Sequence, residues 1–363
     1  MDLRCTTCQR TYPLDTRDWR CECGGLFELD GTRRFSADAI RRGVPTMWRY
    51  QEMLPLRGDA EEVSLGEGFT PLLPVQLYGY RVLCKLEFLA PSGSFKDRGT
   101  SVLVSALTAM GVGEVVEDSS GNAAASLAAY CARAGIHARI FVPAHASLAK
   151  LAQIAVYGAT VVRVEGPREN AALAAQQAAA DSYYASHNYS PLFLEGTKTF
   201  AYEVWEHLGG NVPDNVVLPV GNGSLLLGAY HGFQDLRAAG LIDRLPRLLA
   251  VQAAACAPFY EAYQRGLDEP QPVTPGETVA EGICIARPCR GRQVLGAIRA
   301  TGGVVVAVDD AETHSARAVL ARAGLYVEPT SATVAAALVK LDKVIDGGAI
   351  TVVALTGSGL KSA

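Results

Sequence analysis

The stretch APSGSFKDRGTSVLVSALTAMG, residues 90–111, decides how the rest of the chain is read. Val102, Leu103, Ala106, Leu107 and Met110 recur at helical spacing. Lys96 therefore falls at or near the first turn of a helix. It follows a Pro-Ser-Gly-Ser loop in which Gly93 and Ser94 leave room beside it. First turns favour acids, because backbone N–H groups and the helix dipole make that end positive. A lysine held near positive charge and partly desolvated gives up its proton more readily. It can then attack a carbonyl to form a Schiff base. The plain alternative is a solvated first-turn charge.

Two glycine-rich segments bear on the choice. VVLPVGNGSLLLGAY (216–230) is an apolar strand run, then Gly221-Asn222-Gly223-Ser224, then an apolar helical stretch. A strand feeding such a turn into a helix N-terminus can hold a phosphate on backbone N–H groups. SSGNAAASLAAYCARAG (119–135) opens with Ser119-Ser120-Gly121-Asn122 and continues as a small-residue helix. Taken singly, each turn could simply close a strand–helix connection.

From about residue 61 onward, strand-like runs alternate with helical ones. RVLCKLE, GEVVEDSS, ARIFVPA, ATVVRVEG, DNVVLPVG, RLLAVQAA, GGVVVAVDD and AITVVALTGSG read as strands. Helices are expected over 123–134, 147–157, 170–181 and 311–323. The alternation predicts an α/β fold with open, mostly parallel sheets. Ligand loops then fall outside the carboxyl ends of the strands. A dinucleotide-binding fold would need a third glycine at 226, and Leu226 stands there.

Composition narrows the classes. With 363 residues, 49% of them hydrophobic, the chain can bury cores for two or three domains. Its formal net charge is −4, and Arg33-Arg34 and Arg41-Arg42 are short and isolated. Nucleic acid is not expected as a primary partner. No apolar run approaches the roughly 20 residues that span a bilayer, so no membrane partner is expected. The polar opening MDLRCTTCQR does not read as a secretory signal, and a soluble cytoplasmic protein is expected.

Four of the nine cysteines, Cys5, Cys8, Cys21 and Cys23, crowd into the first 25 residues. A Cys-x2-Cys and a Cys-x-Cys pair separated by twelve residues resemble a zinc ribbon, where four thiolates close a tetrahedral structural site. The second pair is one residue tighter than the usual knuckle. Free thiols or two disulfides are the alternatives, and a cytosolic chain disfavours the latter. Cys84, Cys131, Cys256, Cys284 and Cys289 read as small packed hydrophobes.

PSGSFKDRG, SSGN, VGNGS and the closing LTGSGLK (355–361) occur in the order found in fold-type-II pyridoxal-phosphate enzymes. GEGFTPL (66–72), LEGTKTFAYEV (194–204) and the cysteine module match one branch of them, and the chain resembles the threonine synthase family over nearly its whole length. The resemblance implies a zinc-ribbon-like module at 1–30, an arm at 31–60, a larger cofactor-binding domain at 61–95 with 200–363, and a smaller domain at 96–199. It implies pyridoxal 5'-phosphate on Lys96, with Asn122 at the cofactor's 3-hydroxyl. Gly221, Asn222, Gly223 and Ser224 would hold the phosphate, and Thr356 would face the ring nitrogen. A neutral Thr there moderates the electron sink, which suits elimination and replacement. Ser119 and Ser120 are expected to meet the carboxylate of an amino-acid substrate. A homodimer is expected.

The chain also departs from the family. Ala123 stands where Thr follows the Asn, Phe193 where a phosphate-binding Arg would be, Leu225 for a second Asn, and Ser358 for a His. TVAEGI (278–283) is closer to serine and threonine dehydratases. Lys198, Arg98 and Arg287 are the cations left to meet a substrate anion. The implied activity is elimination or replacement at Cβ or Cγ, with threonine formation from O-phosphohomoserine the best single named reaction. The alternatives are cysteate-synthase-like β-replacement on O-phosphoserine, dehydration of Ser or Thr, and a catalytically silent cofactor-binding regulator.

Overall fold

The structure, a computed structural model, describes residues 1–31, 34–56, 61–146 and 148–361. Arg33, Ser147 and residues 57–60 of the expected arm lie outside them. In chain order the elements begin with β1 (Asp2–Cys5), β2 (Thr11–Pro13), β3 (Phe27–Asp30), β4 (Leu72–Leu77) and β5 (Tyr80–Lys85). Next come α1 (Lys96–Ala109), β6 (Glu114–Glu117), α2 (Asn122–Ala134), β7 (His137–Pro143) and α3 (Leu148–Val156). β8 (Thr160–Val164), α4 (Arg168–Ala178), β9 (Tyr183–Tyr184) and α5 (Pro191–His207) follow. The rest is β10 (Asn215–Pro219), α6 (Ser224–Ala238), β11 (Arg247–Ala253), α7 (Pro258–Gln264), α8 (Gly291–Ala300), β12 (Val305–Val308), α9 (Asp310–Arg322), α10 (Pro329–Lys340) and β13 (Thr351–Ala354). Among the described residues, no helix is long and apolar enough to cross a membrane.

The chain forms two compact units, residues 1–68 with 96–197, and residues 69–95 with 198–363. The first holds two sheets. One is antiparallel, in the order β2-β1-β3, with Cys5 ending β1 and Cys8, Cys21 and Cys23 on its connections. The other is parallel, in the order β8-β7-β6-β9. Its core gathers Leu103 and Leu107 of α1, Ala124 and Ala128 of α2, Val115 of β6 and Ile140 of β7. The small residues of α2 let α1 pack closely on it.

The second unit is a six-stranded sheet in the order β12-β11-β10-β13-β5-β4. Every pair is parallel except β4 with β5. Its central strands are buried on both faces and read as continuous apolar runs, such as Val216-Val217-Leu218 and Val352-Val353. Tyr78 and Gly79, both at positive φ (52° and 86°), make the tight turn that joins the antiparallel edge strand β4 to β5.

Two family motifs prove to be structural. In the first unit Glu67 is fully buried and satisfied. It accepts from Trp48 Nε1 at 2.6 Å, Ser101 Oγ at 2.6 Å, Tyr130 Oη at 2.7 Å and the Leu65 amide at 2.9 Å. In the second, Lys85 Nζ donates to Glu203 at 2.7 Å and to the Thr70 hydroxyl at 2.5 Å, all without solvent exposure at Lys85 and Glu203. Buried charge is tolerated there because each ion has a partner.

Candidate active site

In the first unit Lys96 is the first residue of α1 and is half-buried. Its Nζ lies 5.6 Å from the centroid of the Phe193 ring, within cation–π range. Phe193 is 1% exposed and presses on the same turn of α1. A Cβ on Gly99 would meet its ring at 2.5 Å, so only glycine fits. At Gly196 a Cβ would lie 2.0 Å from the Arg98 carbonyl, which makes the glycine of LEGTK a backbone-to-backbone contact between α5 and α1. Ser126 Oγ donates to Asp97 at 2.6 Å and ties the start of α1 to α2. Asn122, half-buried, opens α2, and Ser119 and Ser120 stand in the loop between β6 and that helix. The Gly121 amide donates to Ser119 Oγ at 3.3 Å.

In the second unit, Gly221–Ser224 link β10 to α6 and Thr356 follows β13. These strands are parallel neighbours, with Val217 opposite Val353, so both loops leave the carboxyl end of the sheet side by side. Gly223 has φ +84°, and a Cβ on it would lie 2.4 Å from Val294. A Cβ on Gly221 would meet Ile285 at 3.0 Å and the Gly282 carbonyl at 3.1 Å. The loop is thus bare backbone ending at the N-terminus of a 15-residue helix, an anion cradle in geometry and dipole. The Phe95 amide donates to the Thr356 carbonyl at 3.0 Å and the Ser358 amide to the Gly93 carbonyl at 2.9 Å, so the PSGSF loop is pinned to the closing loop.

Buried hydroxyls without partners are rare in folded proteins. Among its described residues this unit has three: Thr356 Oγ1, Ser94 Oγ and Ser331 Oγ. The Thr356 hydroxyl is the one expected to face a ring nitrogen, and it is among the three left unsatisfied. Cradle and orphaned hydroxyl together fit a phosphorylated heteroaromatic cofactor. The sequence marks Ser94 only as leaving room beside Lys96, and Ser331 escapes it altogether because nothing local marks it.

The remaining cations are differently placed. Lys198 is 1% exposed and bonded to Asp235 at 2.9 Å, with Tyr202 Oη on the same carboxylate at 2.5 Å. Burial, reinforced by Lys198, pushes neighbouring His231 down to about 4. Lys198 is therefore committed to this buried ion pair. Arg98 is fully buried, and Arg287 is exposed.

The four N-terminal thiols lie within 4.8 Å of one another, with Cys5–Cys23 and Cys8–Cys21 each at 3.5 Å. A tetrahedral zinc site with Zn–S near 2.3 Å spaces its sulfurs at about 3.8 Å. The Thr7 and Cys8 amides point at Cys5 Sγ, and the Tyr12 hydroxyl at 3.2 Å holds the Cys21 thiol down at about 6. No disulfide joins them.

Residues 63–357 match the profile of a family described as pyridoxal-phosphate dependent enzyme. The threonine synthase of Methanocaldococcus jannaschii is 38% identical, covering 99% of this chain and 92% of its own. That of Methanosarcina acetivorans is 35% identical over 98% and 90%. Among solved structures, maize serine racemase shares the fold, with a TM-score of 0.69 at 22% identity over 80% of this chain and 88% of its own. The chain belongs to the pyridoxal-phosphate-dependent enzymes of fold type II and, within them, to the threonine synthase family.

Proposed function

We propose that the protein is a threonine-synthase-like lyase that eliminates or replaces a group at Cβ or Cγ of an amino acid. The observation that carries the reading is the unsatisfied Thr356 hydroxyl, one strand away from a glycine cradle that would hold a phosphate. Bound pyridoxal phosphate supplies the electron sink for charge developing at Cα. Lys96 would hold it covalently and then serve as the base that takes the Cα proton. The amides of Gly221–Ser224 and the Ser224 hydroxyl would bind its phosphate, Asn122 its 3-hydroxyl, and Thr356 its ring nitrogen without protonating it. The Ser119 and Ser120 hydroxyls, at the start of α2, would take the substrate carboxylate. The four cysteines would hold a structural zinc; four thiolates leave it no open position for chemistry.

The named reaction best supported by the relatives is threonine formation from O-phosphohomoserine. A second reading, dehydration of Ser or Thr or β-replacement on O-phosphoserine, is favoured by Phe193, an apolar ring where the family's phosphate-binding Arg is expected. The test is borohydride reduction of purified protein. Wild type should carry a visible cofactor band that becomes permanently attached, and Lys96→Ala should carry none. Fixable cofactor in Lys96→Ala overturns the assignment. A screen of the three substrate classes, followed by shifts of that band, separates the two readings.

A further inference from the structure

Glu117 and His187 form a buried pair that no role above uses. Glu117 ends β6, and His187 lies three residues past the end of the parallel neighbour β9, with Val116 opposite Tyr184. Both therefore sit at the carboxyl end of this sheet, where the Ser119–Asn122 loop also leaves it. Oε1 of Glu117 is 2.5 Å from Nδ1 of His187, and the side chains are 2% and 11% exposed. The His187 ring meets Phe193 edge-on at 5.8 Å, and Lys96 Nζ lies 5.6 Å from the centroid of that same ring. One aromatic ring thus has the reactive lysine on it and the imidazole beside it. Burying a carboxyl and an imidazole costs desolvation that packing alone would not require.

The charged and titratable groups facing the pair are Lys96 of α1, Arg168 at the start of α4, Asp118 beside Glu117, Tyr184 bonded to Asp118, and Cys131 of α2. Burial pushes the Glu117 carboxyl up to about 7, although Lys96 and Arg168 pull the other way. Burial, then Lys96, holds His187 well below the ordinary imidazole range. The neutral pair is therefore favoured below pH 7. In it the carboxyl O–H donates to Nδ1, and Nε2 carries the N–H.

We propose that His187, backed by Glu117, gives its Nε2 proton to the oxygen leaving group of the substrate. The inference rests on Lys96 being the reacting lysine. Lys96 takes the proton on carbon, and that C–H electron pair stays in the substrate. The C–O bond breaks with its pair going to oxygen. Nε2–H passes to that oxygen while the Glu117 proton passes to Nδ1. The Lys96 ammonium then returns a proton to Nε2 while Nδ1 gives its proton back to the Glu117 carboxylate, so both the proton count and the starting tautomer are restored over the cycle. The substrates fitted are amino acids with a hydroxyl or phosphate-ester group to lose.

The test compares wild type, Glu117→Gln and His187→Gln on Ser, Thr and O-phosphohomoserine against β-chloroalanine, whose chloride needs no proton. On the oxygen substrate that wild type uses, each variant should lose on the order of 100-fold or more in kcat. With β-chloroalanine the loss should be at least ten times smaller. The wild-type rate on the oxygen substrate should fall above pH 7, and this limb should vanish with chloride. A readout free of turnover is available in cofactor-free protein with labelled histidine. The His187 ring resonances should follow a step centred near pH 7, and Glu117→Gln should remove it. Equal losses for both leaving groups, no such step, or turnover of β-chloroalanine alone by wild type would each overturn the proposal. Failure of the Lys96 reading shows separately, as fixable cofactor in Lys96→Ala.

Discussion

Phe193 is the residue on which the proposed choice of substrate turns. A dianionic phosphate left without its Arg loses a charge-assisted pair, a cost of roughly 2–5 kcal/mol when desolvated. That is about 30- to several-thousand-fold in affinity. Lys198, bonded to Asp235, does not refill the gap. O-phosphohomoserine should therefore be used poorly, and a Michaelis constant in the low micromolar range would refute this. Glu117 makes a second prediction at the same scale. Its folded pKa is raised, so its contribution to stability is full below about pH 4.5 and is lost as pH rises through about 7. The difference is on the order of 3 kcal/mol. Relative to wild type, Glu117→Gln should gain that much stability between those pH values in denaturant titrations. A parallel pair of pH profiles would count against the buried carboxyl. None of this pairing was readable in the sequence: residues 117 and 187 are 70 apart, and only the β6–β9 register brings them together.

Elements were more legible than residues. The i, i+3, i+4 spacing in 102–110 put Lys96 in a first turn, and it is the first residue of α1. The strand runs fold as parallel strands because they are apolar on both faces, a pattern written locally in the chain. The edge strand β4 was missed because Pro74 argues against a strand, and it is tolerated there only because β4 has a single partner. Close approaches were not legible either, since nothing local says that Gly196 meets the Arg98 carbonyl. The cradle gives the prediction at this scale. Gly223→Val would set a branched side chain 2.4 Å from Val294 at a φ of +84°. We expect a folded protein that holds pyridoxal phosphate about tenfold or more weakly in equilibrium dialysis, since strain of about 1–2 kcal/mol falls on the loop itself. Unchanged affinity would remove the loop from the phosphate site.

At the scale of the molecule, the cysteine cluster was visible as spacing, but its closure was not. It needed the antiparallel β1–β3 pairing to bring the Cys21–Cys23 turn over Cys5. Zinc there should act on stability alone. Chelation, or Cys5→Ser, should lower Tm by several degrees and leave the visible cofactor band in place. Loss of the band together with the metal would contradict a purely structural role.

The strand order carries a consequence for how the protein is made. β13, in the six-stranded sheet between β10 and β5, is the last of those six strands in chain order. Until it is synthesised, β5 and β10 each present an unpaired strand edge to the cell, β5 for some 270 residues of elongation. At 5–20 residues per second that exposure lasts on the order of 15–50 s. Such edges recruit other strands. Nascent chains of this protein should need a holding chaperone until β13 has emerged, and truncations ending before Thr351 should aggregate rather than fold.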